Sequence, residues 1–323
     1  MNDDMQKRCE LFVQNRDIIK SVFPWDSAFM HPVCAGIYTA KGLLTDASRL
    51  KFCLELLKQK TGPLSPFRGL SRLAVSSLLA VSPDPETRLT CILDLHGQLK
   101  ASSLPSSDHL AVAAAITVDL TGPEKYASVA ERTQALYRAM KEDHPFLTSY
   151  EDSAFAAILA LSPAENGHLI EETKKCYTLL KPYFTYGNSV QSLSHILALG
   201  AASAEQKCSR TMELFAYLKR LGFKYGRTFE LPTLGVLALT EADIDILAQE
   251  MIEADGFLKT QKGFGSLSAG TAQRLMYAGM LTLYGYMPEE KTIQVAALSS
   301  AVSLAVANQA AICATIAATT VIT

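Results

Sequence analysis

The sequence predicts an all-α protein: a single domain of about seven helical hairpins, ~40 residues each, wound as an α/α solenoid or closed as an α/α toroid. Three observations predict it. The first is a column of apolar anchors, Ile37, Leu79, Ile116, Leu159, Leu197, Leu237 and Leu281, spaced 42, 37, 43, 38, 40 and 44 residues apart. Three of them sit in near-identical strings, "AAILAL" (156–161), "SHILAL" (194–199) and "LGVLAL" (234–239). The second is an independent column in which an apolar residue precedes a lysine: Lys58, Lys100, Lys141, Lys181, Lys219 and Lys259, spaced 42, 41, 40, 38 and 40. Two columns that keep one period mark a repeat. The third is punctuation after the anchors, such as "VSPDPE" (81–86), "LTGPE" (120–124) and "TEAD" (240–243), where one helix stops and the next is capped.

The elements follow in order. Residues 1–26 read as an N-terminal helix and the loop leading out of it, 27–291 as the hairpins, and 292–323 as a C-terminal segment rich in Ala, Ser and Thr and free of charge. Each hairpin pairs an amphipathic helix with an apolar one. In "EQKCSRTMELFAYLKRL" (205–221), Cys208, Met212, Phe215, Leu218 and Leu221 recur every three to four residues, and Lys219 falls in the last turn, where it complements the helix dipole. Around the anchors the residues are small: two places before them stand Ala35, Ser77, Ala114, Ala157, His195, Gly235 and Gly279. Such residues let backbones approach closely, so the anchor helices form a crowded inner layer and the lysine-bearing helices an outer one.

Composition excludes several classes. With 49% hydrophobic and 19% charged residues the chain can bury a core and is not disordered by composition. A net charge of -2 and scattered Lys and Arg argue against a nucleic-acid partner. Seven separated cysteines without a C-x-x-C read as reduced, mostly buried thiols. The charged opening "MNDDMQKRCE" is unlike a signal sequence, and the expected location is the cytoplasm. The uncharged 292–323 segment needs cover, from ring closure or from a second copy in a homodimer; Asn308, Gln309 and many Ser and Thr argue against a membrane span.

The search for chemistry yields few candidates. Glu165 and His168 form one E-x-x-H, but a di-iron site needs two, so no metal or other cofactor is expected. "GFGSLSAG" (263–270) lacks the lysine and the preceding strand of a phosphate loop and reads as a turn, with Ser268 near the cap. Seven residues before the anchors lie Met30, Arg72, His109, Asp152, Val190, Glu230 and Arg274, five of them ionisable and able to converge on a polar ligand from one rim. Asp152 equally fits the third residue of a capping box with Ser149. His195 stands where the other repeats carry Ala, Ser or Gly, with Gln191 one turn before it on the same face. A packed seam admits an imidazole only where a pocket opens or a partner satisfies it. Asp152 and His195 are therefore the candidate catalytic residues, and Arg68, Asp152, Gln191 and His195 the candidate ligand contacts. Trp25 and Asp26, in "FPWDS", are loop residues of types enriched at sites, although a lone tryptophan is more often a plug in the core.

The strings "LSPFRG" (64–69), "HPFLTSYEDSAFAAILAL" (144–161), "GNSVQSLSHILALG" (187–200) and "LFVQNRDIIKSVFPWDSAFMH" (11–31) resemble the bacterial domain-of-unknown-function family 4003, over about residues 8 to 290. The resemblance implies a bacterial, soluble protein and assigns no activity or catalytic residue. Two functions are expected. One is a scaffold holding a protein or peptide on a concave inner-helix surface. The other is a toroid enzyme or small-ligand binder, with Asp152 as acid/base, Arg68 as anion clamp and His195 as base or ligand contact.

Overall fold

A computed structural model describes residues 1–102, 104–223, 225, 230–265 and 270–286. Among these residues the chain is helical, without strands, and long and short helices alternate. The long, amphipathic helices are α1 (Asp3–Val22), α3 (Ala47–Lys60), α5 (Pro85–Ala101), α7 (Tyr126–Asp143), α9 (Asn166–Leu180), α11 (Ala204–Arg220) and α13 (Ile244–Thr260). The helices between them are α2 (Met30–Thr39), α4 (Arg72–Ala80), α6 (Asp108–Thr117), α8 (Ser153–Leu159), α10 (Gly187–Leu197), α12 (Pro232–Ala238) and α14 (Gly270–Leu283).

Local chemistry places these elements. Asp46, Asp84, Ser203 and Asp243 precede long helices and accept bonds from first-turn N–H groups, each cap stabilising by ~1 kcal/mol. In α3 the buried residues Leu50, Cys53, Leu54 and Leu57 form one stripe. The alternate helices are buried all round: every residue of α2, α8 and α12 is buried, as a helix apolar on all faces requires. All seven anchors are core residues. Truncating a fully buried Leu79 or Leu197 to alanine costs ~2–5 kcal/mol.

The crowding read from the small residues is present. Ala113 of α6 clusters with Ala154 and Ala157 of α8. A Cβ on Gly235 of α12 would lie 2.5 Å from Leu193 Cδ1 of α10, and one on Gly279 of α14 would lie 2.8 Å from Thr233 Cγ2 of α12.

By their contacts the residues divide into two compact units. One holds Leu11–Leu161; in it α2, α4, α6 and α8 pack in sequence, with α3, α5 and α7 over them. The other holds Met1–Glu10 and the described residues between Ser162 and Tyr286; in it α10, α12 and α14 pack in sequence, beneath α9, α11 and α13. Met1–Glu10 is seated on α13 and α14 of that unit: the terminal ammonium lies 2.9 Å from Glu253, and Arg8 Nη1 donates to Leu281 O at 2.8 Å. Cys9, Cys34, Cys53, Cys176 and Cys208 are buried free thiols and Cys91 is half-buried, as their spacing suggested. The 292–323 segment, Cys313 and Ser268 lie outside the described residues.

Candidate functional site

Short helices with buried ends create a polar problem, since their last four carbonyls have no intrahelical donor. Arginines from the long helices solve it. Arg49 of α3 donates to Ala80 O at 2.7 Å and also to Ser82 O. Arg132 of α7 donates to Ala160 O at 3.1 Å. Arg210 of α11 reaches Ala238 O at 3.1 Å, Thr240 O at 3.0 Å and Ala242 O at 2.8 Å. The sequence reading missed these three residues, although a signal existed: each stands nine places before a column lysine, Lys58, Lys141 and Lys219. The equivalent place in α9 is Glu172, which is buried and pairs with Lys207 of α11 at 2.8 Å; Lys207 also donates to Gly200 O at 3.0 Å, beyond the end of α10. His168 and Glu171 stay on the solvated face of α9, and no cluster of metal-binding side chains forms among the described residues.

The candidates in the Leu11–Leu161 unit lie at the turns that lead from long helix to short. These turns are neighbours. Arg72 pairs with Asp26, the Asp108 carboxylate accepts from Ser71 N–H at 2.9 Å, and the His109 ring lies 5.8 Å from that of Tyr150. Asp152 closes a capping box: Ser149 N–H donates to Asp152 Oδ2 at 2.9 Å. Only 4% of Asp152 is exposed, and burial pushes its carboxyl up to about 7 against the opposing pull of that N–H. Such a group is poised to exchange a proton near neutral pH. Burial takes His109 the other way, to about 4, so its imidazole is neutral, and its Nε2 has no hydrogen-bond partner among the described residues. Arg68 donates to Thr61 O at 2.9 Å, to Thr61 Oγ1 at 3.2 Å and to Lys58 O, an arrangement that caps the end of α3.

In the other unit Gln191 and His195 share α10, one turn apart, and each is about 1% exposed. Glu230 is buried ahead of α12, and Arg274 of α14 forms a buried pair with Asp255 at 2.7 Å while donating to Phe264 O at 3.2 Å. Within each unit, the rim residues that were expected to converge on a ligand are thus bonded locally or packed: Arg72 to Asp26, Asp152 to Ser149, Arg274 to Asp255.

A different set of residues stands out at the same turns of the Leu11–Leu161 unit. Trp25 is 97% exposed, Leu64 100% and Phe146 98%, each at the tip of a turn between a long and a short helix. All three are large apolar side chains that face solvent on turns of one unit.

Together these features define a class: an all-helical protein whose buried charges serve helix ends and whose most exposed large apolar side chains, Trp25, Leu64 and Phe146, stand on turns. The chain belongs to the family described as protein of unknown function (DUF4003), whose model matches residues 15–311. It is similar to the uncharacterized protein YeaA of Bacillus subtilis (strain 168), with 26% identity over 199 residues, an alignment that spans 58% of each chain. No solved structure matches.

Proposed function

We propose that the protein is a binding scaffold, with its contact surface on the turns that carry Trp25, Leu64 and Phe146. The exposure of those three side chains carries the reading. The concave inner-helix surface expected from the sequence is a poorer site, because α2, α8 and α12 are buried along their whole length. Helical repeat arrays commonly hold proteins or peptides, and the fold alone favours such a partner. The repeat architecture and the cytoplasmic location belong to the same proposal. So does the choice between an open solenoid and a closed ring. Solution scattering tests closure: a compact monomer of this length has a radius of gyration of ~20 Å, and an open solenoid a clearly larger one. A homodimer through 292–323 is tested by the concentration dependence of mass in the same experiment.

The scaffold reading is tested by placing a photo-cross-linking residue at position 64 or 146, with position 124 as control, in cells of the native host. Adducts at 64 and 146 and none at 124 support it. A second reading, an enzyme or small-ligand binder, has one observation in its favour, the Asp152 carboxyl raised to about 7 beside the His109 turn. A small molecule retained in native mass spectrometry, with no adduct at the tips, would replace the first reading by the second.

A further inference from the structure

Resting on the assignment of these turns as the contact surface, we infer that their partner is an anionic lipid bilayer, engaged peripherally. The contact proposed is one of turn tips with the bilayer surface; no described helix is long and apolar enough to cross a membrane.

The tips are neighbours on one end of the Leu11–Leu161 unit. The 23–29 turn is joined to the next by Arg72 and Asp26, that one to α6 by Ser71 and Asp108, and α6 to the 144–152 turn by His109 and Tyr150. Each exposed apolar residue directly follows a proline: Pro24-Trp25, Pro63-Leu64 and Pro145-Phe146. The same pair recurs in the other unit as Pro182-Tyr183, with Tyr183 63% exposed. Proline fixes φ and narrows the unfolded ensemble, so the tip is presented with little conformational entropy left to lose on contact.

Exposure this complete means that the side chains project: Trp25 stands at the edge of a cavity it shares with Asp26, Met30, Leu70 and Arg72, and Leu64 and Phe146 stand clear of it. A folded protein partner would need a matching pocket for each projection. A bilayer interface accepts them at any spacing, and Trp, Phe and Leu are the residues that enter it favourably.

The charges agree. Lys20, Lys60 and Lys141 are exposed at the ends of the long helices that feed these turns, and Lys100 at the end of α5 between them. Of the carboxylates nearby, Asp26 is paired with Arg72, Glu55 with Lys58, Asp143 with His144, and Asp108 accepts from Ser71; Glu142 is exposed and Glu151 half-buried. The opposite turns of the unit are mixed in sign, with Asp46, Asp84, Glu86 and Glu124 beside Lys41 and Lys125. Helix dipoles alone would put lysines at C-termini and acids at N-termini. They do not put Trp25, Leu64 and Phe146 beside the lysines. Lysines set just behind apolar tips are the arrangement that reaches lipid phosphates.

Trp25 is the sole tryptophan of the chain, so its emission reports the tip directly. The full chain is titrated at low salt with vesicles of phosphatidylcholine alone, and with vesicles of equimolar phosphatidylcholine and phosphatidylglycerol. The expected result is a blue-shifted emission with the mixed vesicles, quenched by brominated acyl chains, and binding weaker by at least about tenfold with phosphatidylcholine alone. Leu64→Ser and Phe146→Ser, at positions where nothing is packed, leave the fold intact, and each lowers partitioning by roughly tenfold. Lys60→Glu with Lys141→Glu removes the preference for the anionic vesicles. Emission unchanged by either vesicle overturns the inference. If adducts to a protein at positions 64 and 146 persist in that case, the turns remain the contact surface and the partner is a protein. Equal binding to both vesicles also overturns it, since the lysines would then have no role.

Discussion

Asp152→Asn separates a proton-holding carboxyl from a helix cap. The residue is only 4% exposed, and its carboxylate accepts from the Ser149 N–H at 2.9 Å. Burial raises its folded value to about 7, against about 3.9 for an unfolded aspartate. Between about pH 4 and pH 7 the folded chain therefore holds the proton more tightly than the unfolded chain does. Stability contributed by this group is full below the unfolded value and is lost as pH rises through the folded one. The whole window corresponds to ~4 kcal/mol, at ~1.4 kcal/mol per pH unit, an upper figure because folded-state relaxation softens it. Asparagine keeps a side-chain oxygen for Ser149 N–H and cannot ionise. The variant should match the parent only below about pH 4, exceed it by ~1–2 kcal/mol near pH 5 and by ~3–4 kcal/mol near pH 8. Urea denaturation followed by circular dichroism at pH 5, 6, 7 and 8 measures this. Parallel pH profiles for parent and variant would refute the reasoning and show that Asp152 is ionised in the folded protein across this range. A variant weaker at every pH would show that the cap requires the negative charge.

Three further outcomes follow from the packing. Glu172→Gln strips the partner from the buried Lys207 ammonium and should cost ~3–5 kcal/mol, whereas Glu172→Leu combined with Lys207→Met should lie close to the parent; a thermal double-mutant cycle decides. Arg210→Ala, which removes three charge-assisted bonds to carbonyls at and just beyond the end of α12, should cost ~2–4 kcal/mol in urea, with Arg210→Lys recovering less than half. Gly235→Ala drives a methyl to 2.5 Å from buried Leu193 and should cost ~1–3 kcal/mol, while Gly256→Ala, with nothing within 4 Å in α13, should add ~0.5–1 kcal/mol; equal effects of the two would refute the close approach of α10 and α12.

The helices were legible in the sequence because their cause is periodic. Anchors such as Leu79 and Leu237 and the lysines from Lys58 to Lys259 report which stretches are buried and where long helices end, and both readings need only local pattern. The small residues around Gly235 and Gly279 likewise announced close packing. The site was far less legible. His195 and Gln191 were correctly placed on one face of one helix, but their roles depend on what lies across from them, which no spacing encodes. Arg68 was read as an anion clamp because loop arginines are so often used that way, and the α3 carbonyls that hold it become neighbours only once the chain turns at Gly62 and Pro63. Trp25 was noticed as a single residue. Its kinship with Leu64 and Phe146 rests on exposure, which depends on three turns meeting at one end of a unit.

The distribution of buried charge bears on whether perturbed ionisable groups point to catalysis in this fold. The short helices run from seven residues in α8 and α12 to fourteen in α14. In a seven-residue helix, four C-terminal carbonyls without intrahelical donors are more than half the backbone acceptors. A core built from such helices carries a demand for buried donors that grows with the number of helix ends. Arg49, Arg132, Arg210 and Lys207 meet it, and Lys207 in turn accounts for the carboxylate of Glu172. Asp152 has the same origin at an N-terminus, as the cap of the turn that starts α8. Desolvated, shifted groups are therefore a by-product of stacking short helices, and a raised carboxyl is weaker support for an active site here than in a fold with long core helices. Exposed tips have no such structural origin. Nothing in the stacking of α1 to α8 calls for a tryptophan, a leucine and a phenylalanine in solvent, and removing them should leave stability within ~0.5 kcal/mol. Residues that cost the fold nothing to lose, on turns stiffened by proline, are where a partner's requirements show.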